Sequence, residues 1–471
     1  MPSASQALRT SVALADIVRD PSSYVDPHGF VFHWQDQIFR HISGRALPRF
    51  RDHLNSGLLE RLQQECHLVE SELAPLEIPE LGEGLVLSHR KLPLTYCTEW
   101  TPAMLREAGL VTIDLAITLL EEDLCLQDAY PWNVLFDGTQ PVFVDITSIA
   151  EVDKAAIWPA HEQFEAYFLR PAVLSAEGKG RAVRALMQDN ITGLRLAEFH
   201  NLVSARYRMT HPQLWLTLAL DRYLQRSVTT KDKVRRFSER AMSTVDRKTR
   251  LRFLQRLRRR LEAIRFSTQP DPWNRYYSEI DPSFDRQQKL ETIRQLLRAA
   301  RPQSVLDLGC NTGVFALEAA RCGARTMAVD SSEACVDALY AAARAEGLPL
   351  TPLVSDVLCP TPSYGYLSRQ YPSLYSRIRG ELVLCLGLMH HLLVSGRQSL
   401  ERIAALIAAA TQDKAIFEYV GPDDANMPHL SGRRDIRYNI EEVVQALSKH
   451  FPRIEHLPSD RPTRELLYCQ R

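Results

Sequence analysis

From about residue 271 to the C-terminus, short apolar runs alternate with amphipathic segments. The runs that predict β-strands are SVLDLG, RTMAVD, LTPLVSD, ELVLCL, AIFEYV and RELLYCQR. A turn or helix signal follows each of the first five, and Asn439 with Glu442 forms a capping box at the start of a late helix. Strands that alternate with helices in this way predict an α/β domain with a mainly parallel sheet.

The two stretches before this domain have different patterns. Residues 1–170 mix apolar runs with turn signals, and the segments VLF and PVFVDI around Asp137-Gly138 predict a β-hairpin with a tight turn. Residues 171–270 are helical in pattern and become basic. We therefore expect an α+β recognition domain over 1–170 and a helical connector over 171–270.

The end of the connector carries 14 Lys or Arg against 4 Asp or Glu between Lys231 and Arg265. Leu257, Leu261 and Ile264 share one helix face, and arginines fill the other. Our first interpretation is a helix that packs its apolar stripe on a neighbour. The alternative is a docking face for a phosphate-rich partner such as RNA, although the arginines are not interleaved with a ladder of aromatic residues.

The segment VLDLGCNTGVFALEAARCGARTMAVD carries the clearest chemistry. An apolar strand that includes Asp307 ends at Gly309, a short loop through Asn311 leads to Gly313, and a helix follows. The glycines allow a sharp turn and a close approach to a ligand, and the helix N-terminus offers free N–H groups. The next strand ends at Asp330, where a carboxylate can accept both hydroxyls of a ribose.

The spacing of this loop distinguishes between two cofactors. A dinucleotide site needs G-x-G-x-x-G, whereas Gly309 and Gly313 are spaced as G-x-x-x-G. Asp307 would repel a pyrophosphate but suits a ligand with an ammonium and a sulfonium group. The segment resembles motif I of the class I S-adenosylmethionine-dependent methyltransferases, D-x-G-x-G-x-G, with Asn311 in place of the middle glycine.

The resemblance covers about two fifths of the chain and implies a Rossmann-like, seven-stranded methyltransferase domain over 271–471. It implies ribose binding by Asp330, adenine binding by Asp356, and an aromatic lid in WNRYYSEI. The residues that it implies for the cofactor are Tyr277, Asp307, Gly309, Asn311, Gly313, Asp330, Ser331, Asp356, Val357 and Leu386. The alternative is structural: Asp330 as a helix N-cap, Asp356 as the cap of a turn, and Tyr277 as hydrophobic packing.

Methyl transfer from a sulfonium is an in-line displacement, so the protein mainly supplies alignment and a dry site. A hydroxyl or ammonium acceptor must also lose a proton, which requires a general base. His390 and His391 follow the fourth strand and are the first choice. Because adjacent residues point in different directions, we expect at most one of them to face the methyl group, and we prefer His390. Glu418, near the end of the fifth strand, is another candidate base or substrate anchor. The alternative is that both histidines are structural.

The N-terminal stretch contains a second pattern, Asp128-Ala-Tyr-Pro-Trp-Asn133, followed by Asp145 after the hairpin. This spacing resembles the catalytic loop of kinase-like phosphotransferases, in which Asn and the later Asp hold magnesium. Leu126 stands in the place of the usual His, and no convincing glycine-rich loop lies upstream. We interpret the pattern as a kinase-like remnant that serves substrate recognition. The alternative is an unrelated hairpin with ordinary turn carboxylates.

Composition limits the class of protein. A chain of 471 residues with 45% hydrophobic and 24% charged residues is a folded protein of two or three domains. Lys plus Arg and Asp plus Glu are both 57, so the chain as a whole is not built to bind nucleic acid or an anionic membrane. Nine widely spaced cysteines without a CxxC pair favour reduced thiols in the cytoplasm over disulfides or a metal site. No signal peptide or membrane span is expected.

Together these observations predict a cytoplasmic S-adenosylmethionine-dependent methyltransferase that acts on an oxygen or nitrogen atom of a specialised small molecule or a peptide. The whole chain also resembles bacterial two-part methyltransferases, including nodulation-type host-specificity proteins. Two alternatives stay open. One is an RNA methyltransferase that docks through the basic helix, and the other is a module that binds S-adenosylmethionine or a nucleotide without turnover.

Overall fold

The computed structural model describes residues 10–23, 28–152, 156–225, 245–266, 287–425, 427, 430 and 437–471. The predicted lid residue Tyr277 and part of the basic stretch, residues 231–244, lie outside these ranges. In the part of the chain that is described, no helix is long and apolar enough to cross a membrane.

The N-terminal region is built on a five-stranded antiparallel sheet in the order β2-β3-β4-β7-β5. Its strands and those of three small two-stranded sheets are β1 Thr10–Ser11, β2 Val18–Arg19, β3 Gly29–Trp34, β4 Gln37–Ile42, β5 Ser71–Leu73, β6 Leu76–Glu77, β7 Leu85–His89, β8 Leu124–Leu126, β9 Val134–Asp137, β10 Gln140–Phe143 and β11 Ile149–Glu151. The predicted hairpin is confirmed as β9–β10, but pairing of Asp137 with Gln140 places Gly138 and Thr139 in the turn. The turn is therefore one residue later than the Asp-Gly pattern indicated.

The helices of the N-terminal region and the connector are α1 Leu47–Asn55, α2 Leu58–Glu65, α3 Pro102–Glu121, α4 His161–Phe164, α5 Arg170–Ala176, α6 Gly180–Leu186, α7 Leu196–Leu202, α8 Ala205–Thr210, α9 Gln213–Gln225 and α10 Arg247–Glu262. A π-helical turn at Glu165–Leu169 joins α4 to α5. The N-cap Thr101 accepts a hydrogen bond from the Met104 N–H at 3.2 Å and begins α3, the central helix of this region.

The basic helix α10 packs on α3. Leu257 and Leu261 are buried in this contact and Ile264 is partly buried, which confirms the predicted apolar stripe. Several arginines contact the chain itself: Arg258 pairs with Asp114 at 2.6 Å, and Arg260 pairs with Glu165 at 2.9 Å. The first interpretation of the basic helix, packing of its apolar stripe on a neighbour, is therefore confirmed.

The domain boundary at residue 170 stays a prediction. Helix α10 belongs to the predicted connector but packs against the N-terminal region.

The C-terminal region has a seven-stranded sheet in the order β14-β13-β12-β15-β16-β18-β17, with only β18 antiparallel to its two neighbours. Its strands are β12 Ser304–Leu308, β13 Arg325–Asp330, β14 Leu350–Val354, β15 Gly380–Cys385, β16 Thr411–Val420, β17 Arg453–Pro458 and β18 Arg464–Gln470. Its helices are α11 Gln287–Ala300, α12 Val314–Arg321, α13 Glu333–Glu346, α14 Leu374–Arg377, α15 Leu400–Ala410 and α16 Ile440–Ser448. All six strands predicted from the apolar runs are confirmed, as is the seven-stranded α/β fold.

Helices cover both faces of this sheet. Alternate residues of β15 divide between two cores, with Leu382 and Leu384 in one and Val383 and Cys385 in the other. The first core is completed by α11 and α12, and the second by α15 and α16. Burial on both faces leaves the strand ends as the place where polar side chains can meet a ligand.

The two regions share buried contacts. The segment between β14 and β15 contributes Tyr364 and Tyr371 to the core of the N-terminal region. The Trp132 indole N–H donates to the Tyr364 hydroxyl at 2.8 Å, and Arg377 forms a buried ion pair with Glu99. The loop that carries Asp128 and Asn133 therefore packs directly against the C-terminal region.

Candidate active site

The loop after β12 has the backbone that the motif predicted. Gly309, Asn311 and Gly313 all have positive φ, at 70°, 50° and 78°. A Cβ added to Gly313 would lie 2.3 Å from Cδ1 of Leu339, so both the backbone conformation and the packing require glycine there. The N–H of Gly309 donates to the carbonyl of Val329 at 2.8 Å, which holds the loop against the end of β13.

Asp330 lies at the end of β13 and fixes this loop. Its carboxylate accepts N–H bonds from Asn311 and Ser332, each at 2.8 Å. The N-cap of α13 is Ser332, whose side chain accepts from the Cys335 N–H, so the helix is capped by Ser332 and not by Asp330. Ser331 beside it is exposed.

Asp307 in β12 is a buried carboxyl group that fits a cationic ligand. Its side chain is 2% exposed, and its Oδ2 has no hydrogen-bond partner in the described structure. Burial, reinforced by the charge of Asp330, raises the pKa of Asp307 to about 7. A buried acceptor without a partner is costly to keep. A sulfonium and ammonium ligand would supply the missing positive charge.

The ends of β14 and β15 complete this edge of the sheet. Asp356 is exposed and accepts the Leu358 N–H at 2.8 Å, whereas Val357 and Leu386 are buried and apolar. Because β14, β13, β12 and β15 are parallel neighbours, their carboxyl ends lie side by side. The predicted cofactor residues among those described therefore line one edge.

His390 and His391 follow β15, with their ring centroids 4.2 Å apart. Burial is the main cause that lowers the pKa of His390 to about 2, and of His391 to about 4. His390 is 2% exposed, and its Nδ1 has no hydrogen-bond partner in the described structure. Both imidazoles are therefore neutral at neutral pH.

Glu418 in β16 is fully buried and held by two donors. Lys289 Nζ lies 2.6 Å from its Oε2, and the Ser459 hydroxyl donates to Oε1 at 2.8 Å. Burial opposes ionisation of Glu418, but the charge of Lys289 prevails and lowers the pKa of the carboxyl group. Glu418 is thus an ionised partner in a buried ion pair.

The sequence analysis missed Lys289, which lies on α11. A signal was present: Lys289 precedes Ile293 by four residues and Leu297 by eight, so it falls on the apolar stripe of its helix. A lysine on a buried stripe requires an anionic partner. The Lys289 ammonium also lies 4.9 Å from the centroid of the Phe315 ring.

The analysis also missed Asp460, in the turn between β17 and β18. Its Oδ1 accepts the backbone N–H of Lys289 at 2.9 Å, and its Oδ2 is buried without a hydrogen-bond partner in the described structure. Nearby, Arg464 holds the buried carboxylate of Asp424 at 2.8 and 3.0 Å. This side of the edge therefore combines satisfied ion pairs with one carboxylate that keeps a free oxygen.

The structure brings Asn133 and Asp145 of the second pattern together. The Asn133 side-chain amide donates to Asp145 at 3.4 Å, and Arg40 from β4 lies 3.3 Å from the same carboxylate. Asp128 accepts from the Gln163 side chain at 3.3 Å. Within the described ranges, no cluster of three His, Cys, Asp or Glu side chains is placed to hold a metal ion. The sequence analysis did not anticipate Arg40.

Comparison with known proteins agrees with this geometry. A family model described as a methyltransferase domain matches residues 284–448. The C-terminal region is an S-adenosylmethionine-dependent methyltransferase domain with the Rossmann-like fold of that class, and S-adenosylmethionine is its cofactor.

Three solved structures are similar to part of the chain. Magnesium protoporphyrin IX methyltransferase from Synechocystis PCC 6803 with bound SAH is 18% identical, with a TM-score of 0.31 over 43% of this chain and 93% of that one. An S-adenosylmethionine-dependent methyltransferase from Clostridium acetobutylicum ATCC 824 is 13% identical, with a TM-score of 0.32 over 41% and 95%. The bifunctional kinase-methyltransferase WbdD is 18% identical, with a TM-score of 0.30 over 43% and 42%.

One curated relative matches almost the whole chain. Nodulation protein NoeA of Rhizobium meliloti (strain 1021) is 30% identical over 446 residues, which are 92% of this chain and 91% of the relative. The match includes both the methyltransferase domain and the regions before it. The protein therefore belongs to the family of the nodulation protein NoeA.

Proposed function

We propose that the protein transfers the methyl group of S-adenosylmethionine to an oxygen or nitrogen atom of a specialised small molecule or a peptide. The observation that carries the proposal is the unpaired, buried carboxyl oxygen of Asp307, on the same sheet edge as His390. The first group suits the positive charge of the donor, and the second can contact an acceptor. The cofactor supplies an already activated methyl group, so the chain has to align the reactants and exclude water.

We assign the cofactor residues by their place on the edge. Asp307 faces the cationic part of the cofactor, Asp330 and Ser331 face the ribose, and Asp356 and Val357 face the adenine. The loop of Gly309, Asn311 and Gly313 allows close approach, Leu386 forms an apolar wall, and Tyr277 belongs to the lid. The positive φ angles of the loop and the two N–H bonds by which Asp330 holds it support these roles.

We assign the contact with the acceptor to His390. With a pKa of about 2, its imidazole is neutral over the physiological range and can accept a hydrogen bond at Nδ1. Such a weak base orients the acceptor and takes its proton as the new bond forms. His391 and burial keep the ring neutral, and Glu418, bound to Lys289, anchors this part of the site.

We further propose that the N-terminal region selects and presents the acceptor in the cytoplasm. Support comes from the contact of Trp132 with Tyr364, which places the loop of Asp128 and Asn133 against the methyltransferase domain. Because the carboxylate of Asp145 already lies beside Arg40, we assign this region to recognition and not to phosphoryl transfer.

The test is incubation of the full chain with methyl-labelled S-adenosylmethionine and an extract of cells that contain the protein, followed by mass spectrometry. We expect a labelled small molecule or peptide. Tight binding of S-adenosylmethionine without a labelled product would instead support a module that binds the cofactor without turnover. Label in RNA would support the RNA methyltransferase alternative.

A further inference from the structure

The turn between β17 and β18 lies at the end of the sheet that also carries the motif loop, where the parallel strands have their carboxyl ends. Val420 pairs with Arg464 and Glu418 pairs with Leu466, so the antiparallel strand β18 begins where β16 ends. The preceding turn, residues 459–463, therefore shares an edge with the motif loop. In the strand order it lies beyond β15 and β16 from β12, on the side of His390 and away from the predicted ribose and adenine residues.

Contacts with other elements fix this turn. Ser459 donates to Glu418 at 2.8 Å, and Thr463 donates to Asp424 at 2.8 Å. Asp460 accepts the Lys289 N–H with one oxygen, and its other oxygen is buried without a partner in the described part of the chain. A buried acceptor of this kind is destabilising until a donor reaches it.

A second buried polar atom lies on the same side of the edge. His390 is more than nine-tenths buried, and its Nδ1, which accepts in the tautomer protonated at Nε2, has no partner among the described residues. The charges of Lys289 and Arg464 act on both His390 and Asp460, and the backbone N–H of Lys289 contacts Asp460 directly. Those cations are themselves bound, Lys289 to Glu418 and Arg464 to Asp424.

We propose that Asp460 and His390 line the acceptor subsite, that it takes a group with hydrogen-bond donors, namely an alcohol or an amine, and that Asp460 is the carboxylate that positions this group. The inference rests on the proposed methyl transfer and narrows its substrate class. A carboxylate or phosphate acceptor would meet the negative charge of Asp460 and Asp307. The two described cations that act on Asp460 and His390, Lys289 and Arg464, are already paired with Glu418 and Asp424.

The chemistry balances with these groups. A lone pair of the acceptor oxygen or nitrogen forms the bond to the methyl carbon, and the electron pair of the breaking carbon–sulfur bond returns to sulfur. The proton of an alcohol acceptor passes to Nδ1 of His390 as the bond forms and then to solvent. An amine acceptor reacts in its neutral form, and the proton of the resulting ammonium group is lost to solvent. The products are an ether or a methylated amine, together with S-adenosylhomocysteine.

The experiment uses the full chain, methyl-labelled S-adenosylmethionine and an extract of cells that contain the protein. Mild alkali hydrolyses the methyl esters of carboxylic acids. Mass spectrometry of the alkali-stable fraction separates ethers and methylated amines from methyl phosphates, so the two steps together report the acceptor class. We expect the label to be stable. With limiting extract, the Asp460→Asn variant should methylate the acceptor at least tenfold more slowly than the parent. The rate should recover partly as the extract concentration rises. The affinity of the variant for S-adenosylmethionine should stay within twofold of that of the parent.

Glu455→Gln is the matched control, because Glu455 is an exposed carboxylate on β17, and it should label like the parent. Alkali-labile label would overturn the inference while leaving methyl transfer intact. Parent-like labelling by Asp460→Asn, or loss of cofactor affinity in that variant, would remove Asp460 from the acceptor subsite. If the parent yields no label although it binds the cofactor, the proposed function itself fails. If the Asp460→Asn variant does not fold, the Asp460→Ser variant tests the role of Asp460 instead. The alkali assay on the parent still tests the acceptor class.

Discussion

Carboxylates at the carboxyl end of the C-terminal sheet and those of the kinase-like pattern in the N-terminal region differ in how they are paired. At the edge of the C-terminal sheet, Asp307 and Asp460 each keep a buried oxygen that has no hydrogen-bond partner among the described residues. In the N-terminal region, Asp145 lies 3.3 Å from Arg40 and accepts from Asn133. A sequence motif predicts which residue types are present at a site. Only the fold shows whether their charges are already paired, and an unpaired buried carboxylate indicates a site that can receive a cation.

The largest expected effect concerns the two ion pairs that distinguish these regions. Lys289→Met leaves the carboxylate of Glu418 uncompensated where its side chain is 0% exposed. The free energy of unfolding should fall by about 3–5 kcal/mol, the usual cost of removing one partner of a buried pair. Denaturant unfolding measures it.

The matched N-terminal variant is Arg40→Met, which should cost less because the Asp145 side chain is 21% exposed and retains access to water. Equal losses in the two variants would contradict the contrast drawn between the regions. Adding Glu418→Gln to Lys289→Met should recover part of the stability, since it removes the unpaired charge.

The next effect tests the cofactor edge. Asp330→Ala should weaken binding of S-adenosylmethionine at least tenfold, because it removes both the predicted ribose contact and the two N–H bonds that fix the motif loop. Isothermal titration calorimetry measures the affinity. Asp137→Ala, in the N-terminal hairpin, is the control and should bind normally. Unchanged affinity in Asp330→Ala would refute the placement of the ribose.

An effect of similar or smaller size is expected from pH. The pKa of Asp307 is raised to about 7 from an ordinary value of 3.8, and the ionised form is the one that attracts a cation. Affinity for S-adenosylmethionine should therefore rise about tenfold from pH 6 to pH 8, and binding at pH 6 should release a proton. Asp307→Asn should show neither effect.

The same shift has an opposite consequence for the free chain. Because the raised pKa favours the neutral carboxyl group in the folded state, Asp307 contributes stability fully below pH 3.8, and this contribution is lost as the pH rises through about 7. Thermal melts of the parent and Asp307→Asn without cofactor isolate the effect. A parent that loses no stability relative to the variant over this range would contradict the assignment.

The strands and the motif loop were predictable because they depend on local pattern. Apolar runs marked each strand, and the spacing of Gly309, Asn311 and Gly313 indicated the left-handed turn that the structure contains. Lys289 and Asp460 were not predicted, because their roles arise from contacts over 129 and 171 residues of chain. Arg40 escaped notice for the same reason: its partner Asp145 lies on a distant loop.

The smallest expected effect asks whether the two regions form one cooperative unit. Trp132→Phe keeps an aromatic ring but removes the N–H that reaches the Tyr364 hydroxyl at 2.8 Å, together with part of the buried indole. The free energy of unfolding should fall by about 1 kcal/mol, and Tyr364→Phe should cost little more on the Trp132→Phe background, because the hydrogen bond is already lost. Additive losses in the double-mutant cycle would mean that the hydrogen bond contributes nothing. A coupled loss within a single unfolding transition would show that the N-terminal region and the methyltransferase domain fold as one body, as the shared burial of Tyr364 and Tyr371 predicts.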